Sequence, residues 1–206
     1  MFALPPFDPG IEISVASHGM SKGVSQTDHE QYIPKVFVVR GALQAGAQWK
    51  NVTQSGASGE FSAFVSANHR FGSLQLTGGA AYKISTGTKP GWDKRSLELN
   101  AAAARKFGKL SLRVGGVYSP DDIGPAGQSL YVEGGPSLDL GKTLRISANV
   151  GRRERDGSAD YTAFNAGVTK TLFKKLTVDA RYYRTDRTRL GDTYRDRLVV
   201  TARLGL

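Results

Sequence analysis

Residues 96–118 read SLELNAAAARKFGKLSLRVGGVY and predict two β-strands joined by a tight turn. Apolar and polar side chains alternate with period two along both arms, which leaves each arm with one apolar and one polar face. Gly108 lies between the arms among cationic residues, a composition that suits a tight turn. The apolar positions are Leu97, Leu99, Ala101 and Ala103 in the first arm, and Leu110, Leu112, Val114, Gly116 and Tyr118 in the second.

Hairpins of this kind recur along the chain. Short turns are predicted near residues 40–41, 70–73, 140–143 and 172–175, at intervals of roughly 31–36 residues, which is one long hairpin each. Polar loops of about 7–10 residues alternate with these turns, and no helix is predicted. The predicted strands cover residues 11–18, 32–40, 42–52, 60–69, 74–84, 96–104, 110–118, 129–138, 144–150, 161–171, 176–183 and 195–206.

The alternation of short turns with longer loops is typical of a transmembrane barrel, whereas a soluble sandwich has no reason to sort its loops. Strands of about 9–11 residues also match a tilted membrane crossing. Because lipid cannot satisfy the backbone groups of an open sheet edge, the last strand must pair with the first. We therefore predict an all-β fold, a transmembrane antiparallel up-and-down β-barrel of about twelve strands. It comprises residues 11–206, follows an extended segment at residues 1–10, and has both termini in the periplasm.

The composition excludes several other classes of protein. The chain has 206 residues and no cysteine, so disulfides and thiolate metal sites are excluded. The mean hydropathy is −0.32, and no run approaches the ~20 apolar residues of a membrane helix. The net charge is +10, but the basic residues are scattered, so we expect no nucleic-acid partner. No basic segment precedes an apolar run at the start, so we expect an exported protein to be a mature form behind an added Met.

Aromatic residues on the predicted apolar face indicate where the barrel meets outer-membrane lipids. Three phenylalanines lie at the short turns and four other aromatic residues lie near the opposite strand ends. Two such belts are expected at the two membrane–water interfaces. The predicted interface residues are Trp49, Phe71, Tyr82, Phe107, Tyr118, Phe173 and Tyr182.

The polar face of the same strands would line the pore. Basic side chains outnumber acidic ones there, and a ring of cations in a narrow pore of low dielectric favours anions. We expect Arg113, Arg145 and Arg181 to be the main cations of the lumen. The full set of charged pore-lining candidates is Lys50, Lys83, Glu98, Arg113, Glu133, Arg145, Asp179, Arg181, Arg197 and Arg203.

The function that follows is passive diffusion of small solutes or ions through a bacterial outer membrane, with a preference for anions. A barrel of about twelve strands lies between packed and open barrels, so the lumen is either open or filled by paired charges. The alternative function is a closed structural or interaction barrel whose external loops bind a partner or surface lipid. A soluble β-barrel binder is a further alternative, which the loop pattern and the aromatic belts disfavour. The oligomeric state is left open.

The sequence offers little support for an enzyme. A membrane-embedded phospholipase needs a His and a Ser on the outer barrel surface near the external rim. Ser17 and His18 are strand neighbours that point to opposite faces, and His69 lies near a short turn, at the other end of the barrel. The chain lacks the G-x-S-x-G, H-E-x-x-H and P-loop motifs. We therefore expect no catalytic residues, no metal site and no cofactor.

One segment carries a family resemblance. Residues 17–27, SHGMSKGVSQT, resemble the N-terminal motif of the TorF-like putative porin family, which reads Ser-Asp-Tyr, then Arg-Gly, then Ile/Val-Ser-Gln-Thr. Lys22 replaces the usual Arg, and His18 with Gly19 replaces Asp-Tyr. Residues 44–52 are similar to a second family segment through Ala45, Gly46, Trp49, Asn51 and Val52. The resemblance implies a small outer-membrane barrel with proposed porin activity and no defined substrate.

Overall fold

The computed structural model describes residues 6–173 and 175–206. Within them the chain forms one closed antiparallel barrel, a small two-stranded hairpin and three short 3-10 turns. No helix in this described part has the length and apolarity needed to cross a bilayer. The barrel strands are β1 (Asp8–Ala16), β4 (Gln31–Arg40), β5 (Leu43–Lys50), β6 (Gly59–Phe71), β7 (Leu74–Thr86), β8 (Arg95–Phe107), β9 (Leu110–Asp122), β10 (Gly127–Asp139), β11 (Leu144–Arg155), β12 (Tyr161–Leu172), β13 (Leu176–Thr185) and β14 (Arg197–Gly205). The small hairpin consists of β2 (Met20–Ser21) and β3 (Val24–Ser25), and the 3-10 turns are Gln54–Gly56, Thr188–Leu190 and Asp192–Tyr194.

The twelve barrel strands follow one another around the barrel in chain order. Strand β1 pairs with β4 on one side and with β14 on the other, with Glu12 opposite Gly205 and Ala16 opposite Thr201. The predicted all-β class and the predicted pairing of the last strand with the first are confirmed. Closure satisfies the backbone groups that an open edge would expose to lipid.

The connections are sorted between the two ends of the barrel. Tight turns lie at one end, which we call the short-turn end, and Gly72 and Gly108 adopt positive φ angles there (58° and 61°). Glycine meets this requirement of a two-residue hairpin turn without steric cost. The other end, which we call the loop end, carries residues 17–30, 51–58, 87–94, 123–126, 156–160 and 186–196. This sorting agrees with the prediction.

Several strands are longer than predicted. The structure extends β9 to Asp122 and β11 to Arg155, in stretches that were predicted as loops, and it starts β1 at Asp8 rather than at residue 11. Proline, glycine and charged residues favour loops locally, but pairing with a neighbouring strand overrides that preference. Residues 19–30, predicted as a polar loop, contain β2 and β3.

The two faces of each strand have opposite character. In β8 the outward side chains of Leu97 and Leu99 are exposed, whereas the inward side chains of Ser96 and Glu98 are buried. The same alternation runs around the barrel, with exposed Leu, Val, Ile and aromatic residues outside. An apolar exterior around a polar interior suits a barrel surrounded by lipid.

Candidate functional site

A hairpin folds into the barrel from the loop end. Strands β2 and β3 pair through Met20 opposite Ser25 and Ser21 opposite Val24, and we call residues 20–25 the inward hairpin. Its turn consists of Lys22 and Gly23, with φ angles of 50° and 83°. Two positive φ angles in succession are typical of the type I′ turn that closes a two-residue hairpin. The hairpin tip contacts strands on several sides of the lumen.

Apolar packing and a hydrogen bond hold the inward hairpin against β12. Val24 is buried against Tyr161 and Ala163, the latter two being 0% and 1% exposed. The Tyr161 hydroxyl donates a hydrogen bond to the Lys22 carbonyl oxygen at 2.8 Å. A Cβ atom at Gly23 would collide with the Cβ of Ala163, so the tip lies directly against the wall.

Polar contacts hold the base of the hairpin against the opposite side. The Gln54 amide donates to the Ser25 carbonyl oxygen, and Lys50 Nζ donates to Gln26 Oε1 at 2.7 Å. The backbone N–H of Gln26 donates to the backbone carbonyl oxygen of Gly19 at 2.7 Å, so the residues that flank the hairpin on either side are adjacent.

Charged side chains surround the hairpin tip. Lys22 Nζ lies 2.5 Å from Glu98 Oε1 and 3.8 Å from Asp122 Oδ2. Lys83 Nζ contacts the other Glu98 oxygen at 2.7 Å, and Arg153 pairs with Asp122. We define the buried ion network as Lys22, Lys50, Lys83, Arg153, Glu60, Glu98 and Asp122, whose side chains are 6–14% exposed. Four cations face three carboxylates, which leaves one excess positive charge.

Lys22 is the member of this network that lies outside the membrane-spanning strands. Burial is the main cause that lowers the pKa of Lys22, and the Arg153 charge lowers it further. Glu98 and Asp122 oppose both effects. The two carboxylates therefore stabilise the charged ammonium at the hairpin tip.

The hairpin separates two groups of cavities. The outer vestibule, about 290 Å³, lies on the loop side and is bordered by Lys22, Glu98, Arg153 and Arg155. The inner vestibule lies on the other side and consists of cavities of about 420, 380 and 330 Å³. Tyr131 and Glu133 are shared by two of these inner cavities, and so are Arg181 and Tyr183. Ser21 and Lys22 border both the outer and the inner space.

The arginines of the inner vestibule differ in how firmly they are held. Arg181 donates to Asn165 Oδ1 at 2.7 Å and to Ser147 Oγ at 2.8 Å, and it pairs with Asp179 at 3.2 Å. Arg113 lies 3.6 Å from Glu133 and its side chain is 52% exposed. Arg203 lies 3.5 Å from Glu12 and is similarly exposed. Arg113 and Arg203 are therefore more accessible to a solute than Arg181, although each has an ion-pair partner.

The structure divides the predicted pore-lining residues into three groups. Three of them, Lys50, Lys83 and Glu98, belong to the buried ion network. Five border the inner vestibule: Arg113, Glu133, Asp179, Arg181 and Arg203. Two lie apart from these cavities, because Arg145 pairs with Asp139 at the short-turn end and Arg197 pairs with Asp192 at the loop end.

Sequence reasoning missed four members of the network. Glu60 continues the inward face of β6, and the same alternation could have found Arg153 had β11 been given its full length. Asp122 does not follow the alternation, because a β-bulge between the pairs Ser129–Ser119 and Gly127–Asp122 turns this even-numbered residue of β9 inward. For Lys22 no pattern was available, because its position follows from the inward fold of a loop. His18, the neighbour of Ser17, borders the inner vestibule rather than the outer surface that a phospholipase site would need.

The predicted interface aromatics lie outside the lumen. Phe71, Phe107 and Phe173 are at the short-turn end, and Phe173 is 89% exposed. The other four lie closer to the loop end, namely Trp49, Tyr82, Tyr118 and Tyr182; Tyr118 is half-buried and the rest are exposed.

Comparison with known proteins identifies the fold. No protein-family model and no curated protein sequence matches the chain. Among solved structures, the KdgM porin is similar with a TM-score of 0.58 and 9% identity, over 95% of this chain and 96% of that one. The NanC porin is similar with a TM-score of 0.60 and 9% identity, over 95% and 97%. The COG4313 outer membrane channel from Pseudomonas putida F1 has a TM-score of 0.59 and 12% identity, over 100% and 96%. The chain therefore has the fold of outer-membrane channel barrels.

Proposed function

We propose that the protein is a narrow porin-like channel of a bacterial outer membrane that carries small solutes or ions and prefers anions. The apolar exterior supports a membrane location, with the short turns in the periplasm and outer-membrane lipids as its surroundings. The polar vestibules on both sides of the inward hairpin support solute passage. The porins and channels of similar fold support the same function, and we assign no catalytic role.

The observation that carries this proposal is how the hairpin divides the lumen. A cavity of about 290 Å³ lies on its outer side and one of about 420 Å³ on its inner side, and Ser21 and Lys22 of the hairpin border both spaces. A barrel with a purely structural lumen would be packed with side chains throughout. Release of the hairpin from its contacts would join the two vestibules.

The preference for anions rests on the charges of the lumen. The buried ion network has one more cation than carboxylate, and Arg113 and Arg203 present exposed guanidinium groups to the inner vestibule. Such groups lower the electrostatic barrier for anions and raise it for cations. One solved structure of similar fold is the KdgM porin in complex with disordered oligogalacturonate, and passage of small polar solutes through this chain is consistent with that likeness.

We also propose that the chain is a TorF-like porin with a single barrel domain. The residues that resemble this family, 17–27, include the entire inward hairpin. The family motif would then describe the residues that form this hairpin. Gly23 adopts the positive φ angle of its turn, and Ser25 accepts one of the hydrogen bonds that hold the hairpin to the wall.

Conductance of the refolded protein in a planar bilayer tests the channel. Because Gly19 and Gln26 are joined by a backbone hydrogen bond, a two-residue Asn-Gly turn can replace residues 20–25 and leave the positions of the flanking residues unchanged. We expect discrete steps in the wild-type protein, larger steps in this variant, and an anion-biased reversal potential under a salt gradient. If the wild-type protein folds, inserts and stays electrically silent, the channel is refuted, whether or not the variant conducts.

Silence would favour the alternative, a closed barrel whose external loops bind a partner or surface lipid. The specific observation in its favour is the burial of the network and of the Val24–Tyr161 contact, which close the described lumen at this level. A closed barrel predicts that the variant with the Asn-Gly turn conducts but the wild-type protein does not.

A further inference from the structure

We infer that the outer vestibule is a binding site for a small hydroxylated monocarboxylate. This inference deepens the proposed function, because it names a solute class and the place where the solute is captured before it meets the inward hairpin. It is carried by two arginines of β11, Arg153 and Arg155, which border the same cavity.

Arg155 is a cation without an ion-pair partner among the described residues. Its guanidinium Nη2 donates to the Ala159 carbonyl oxygen and, at 2.9 Å, to the Tyr194 hydroxyl. Its central carbon lies 5.2 Å from the centre of the Tyr161 ring. These contacts orient the guanidinium group without neutralising it, which leaves a fixed positive charge at the vestibule wall.

Arg153 shares its carboxylate partner with a second cation, so its charge is only partly neutralised. Its side chain is 10% exposed, and its one ion-pair partner among the described residues is Asp122, a carboxylate that also accepts from Ser129 at 2.7 Å and faces Lys22. The buried Nε atom of Arg153 has no hydrogen-bond partner in the described structure, and neither has that of Arg155. Four cations border the outer vestibule, namely Lys22, Lys83, Arg153 and Arg155. Three carboxylates border it as well, namely Glu60, Glu98 and Asp122.

Arg155 is the one cation bordering this vestibule that has no ion-pair partner among the described residues, and its single uncompensated charge fits a solute with one negative charge. A carboxylate oxygen can accept a charge-assisted hydrogen bond from the Nη1 atom of Arg155, since Nη2 already donates to Ala159 and Tyr194. The rest of the wall offers side-chain amides and hydroxyls, from Gln26, Gln54, Ser158 and Thr193, that can pair with solute hydroxyl groups. A volume of about 290 Å³ is at the small end of ligand pockets, which limits the solute to about the size of one sugar acid.

The chain contains its own reporter for this site. It has two tryptophans; Trp92 borders the outer vestibule, and Trp49 is exposed on the outer barrel face. Trp49→Phe therefore leaves a single indole at the site. We would titrate this protein, refolded in detergent, with gluconate and follow Trp92 fluorescence. Sorbitol, which has the same six-carbon chain and no charge, serves as the matched neutral solute.

We expect a saturable fluorescence change with gluconate and none with sorbitol. In the same background Arg155→Gln should weaken gluconate binding by about tenfold or more, since a charge-assisted hydrogen bond is lost. Arg152→Gln is the matched control, because Arg152 lies on the same strand with its side chain 45% exposed and paired with Asp160. Arg155→Lys keeps the charge but loses the contacts to Ala159 and Tyr194 that orient it, and it should bind with intermediate affinity.

The inference is overturned if gluconate and sorbitol give the same response, if gluconate gives none, or if Arg155→Gln and Arg152→Gln bind alike. The titration requires no ion flow, so its result is independent of the conductance test. A conducting barrel without gluconate binding refutes this site alone, and a silent barrel that binds gluconate refutes only the channel.

Discussion

Replacement of Lys22 by methionine is the sharpest test of how the hairpin is held. Lys22 Nζ donates to Glu98 at 2.5 Å, and both side chains are buried. Methionine has a similar length and fills the same space without charge. We expect Lys22→Met to weaken the docking of the inward hairpin and so to raise the fraction of time in which the two vestibules are joined.

The loss of docking free energy depends on whether Lys22→Met leaves a buried carboxylate without a cationic partner. Breaking a buried ion pair costs about 3–5 kcal/mol when it leaves a charge without a partner. Here Glu98 keeps Lys83 at 2.7 Å and Asp122 keeps Arg153, so no carboxylate is orphaned. The loss is then that of one hydrogen bond to a charged group, about 1.5–3 kcal/mol. The ratio of docked to undocked hairpin should fall about 10- to 150-fold.

Single-channel recording measures this change as an increase in open probability, and hydrogen exchange at residues 19–27 measures it without current. Lys142→Met is the matched control, because Lys142 is exposed in the turn between β10 and β11. The reasoning is refuted if Lys22→Met folds and inserts normally but matches the wild-type protein in both open probability and exchange rate.

Three further substitutions test neighbouring features. Glu98→Gln should destabilise the fold more than Lys22→Met, as a larger drop in denaturant midpoint, because Lys22 and Lys83 then keep only carboxylates at 3.8 and 3.9 Å. Equal midpoints would contradict this. Gly23→Ala should cost more than the ~1–2 kcal/mol of a positive φ angle alone, because a Cβ there meets Ala163. Gly72→Ala, with open space around it, measures the φ cost by itself, and an equal loss of unfolding free energy would argue against close packing at the tip. Arg113→Leu should shift the reversal potential toward cations, whereas the outward Arg105→Leu should not, and the opposite result would mean that the inward face was assigned wrongly.

Much of the barrel could be predicted because its physics is local. Alternation along residues 96–118 determines which side chains share a face, and it placed Glu98 and Arg113 on the inward side of β8 and β9. Strand ends were harder. Pro120 and the charged residues of 152–155 favour a loop by composition, but the pairing of Ser129 with Ser119 and with Arg155 keeps both stretches in the sheet.

The sequence by itself determined the number of strands, the sorting of turns and loops, and the inward and outward faces, because each depends on neighbours along the chain. Only the tertiary structure decided that residues 20–25 turn into the lumen. Lys22 meets Glu98 and Asp122, and Val24 meets Tyr161, across long separations in sequence. No periodicity encodes such contacts, because a loop enters the barrel only where the closed wall presents opposite charges and an apolar surface at the right distance.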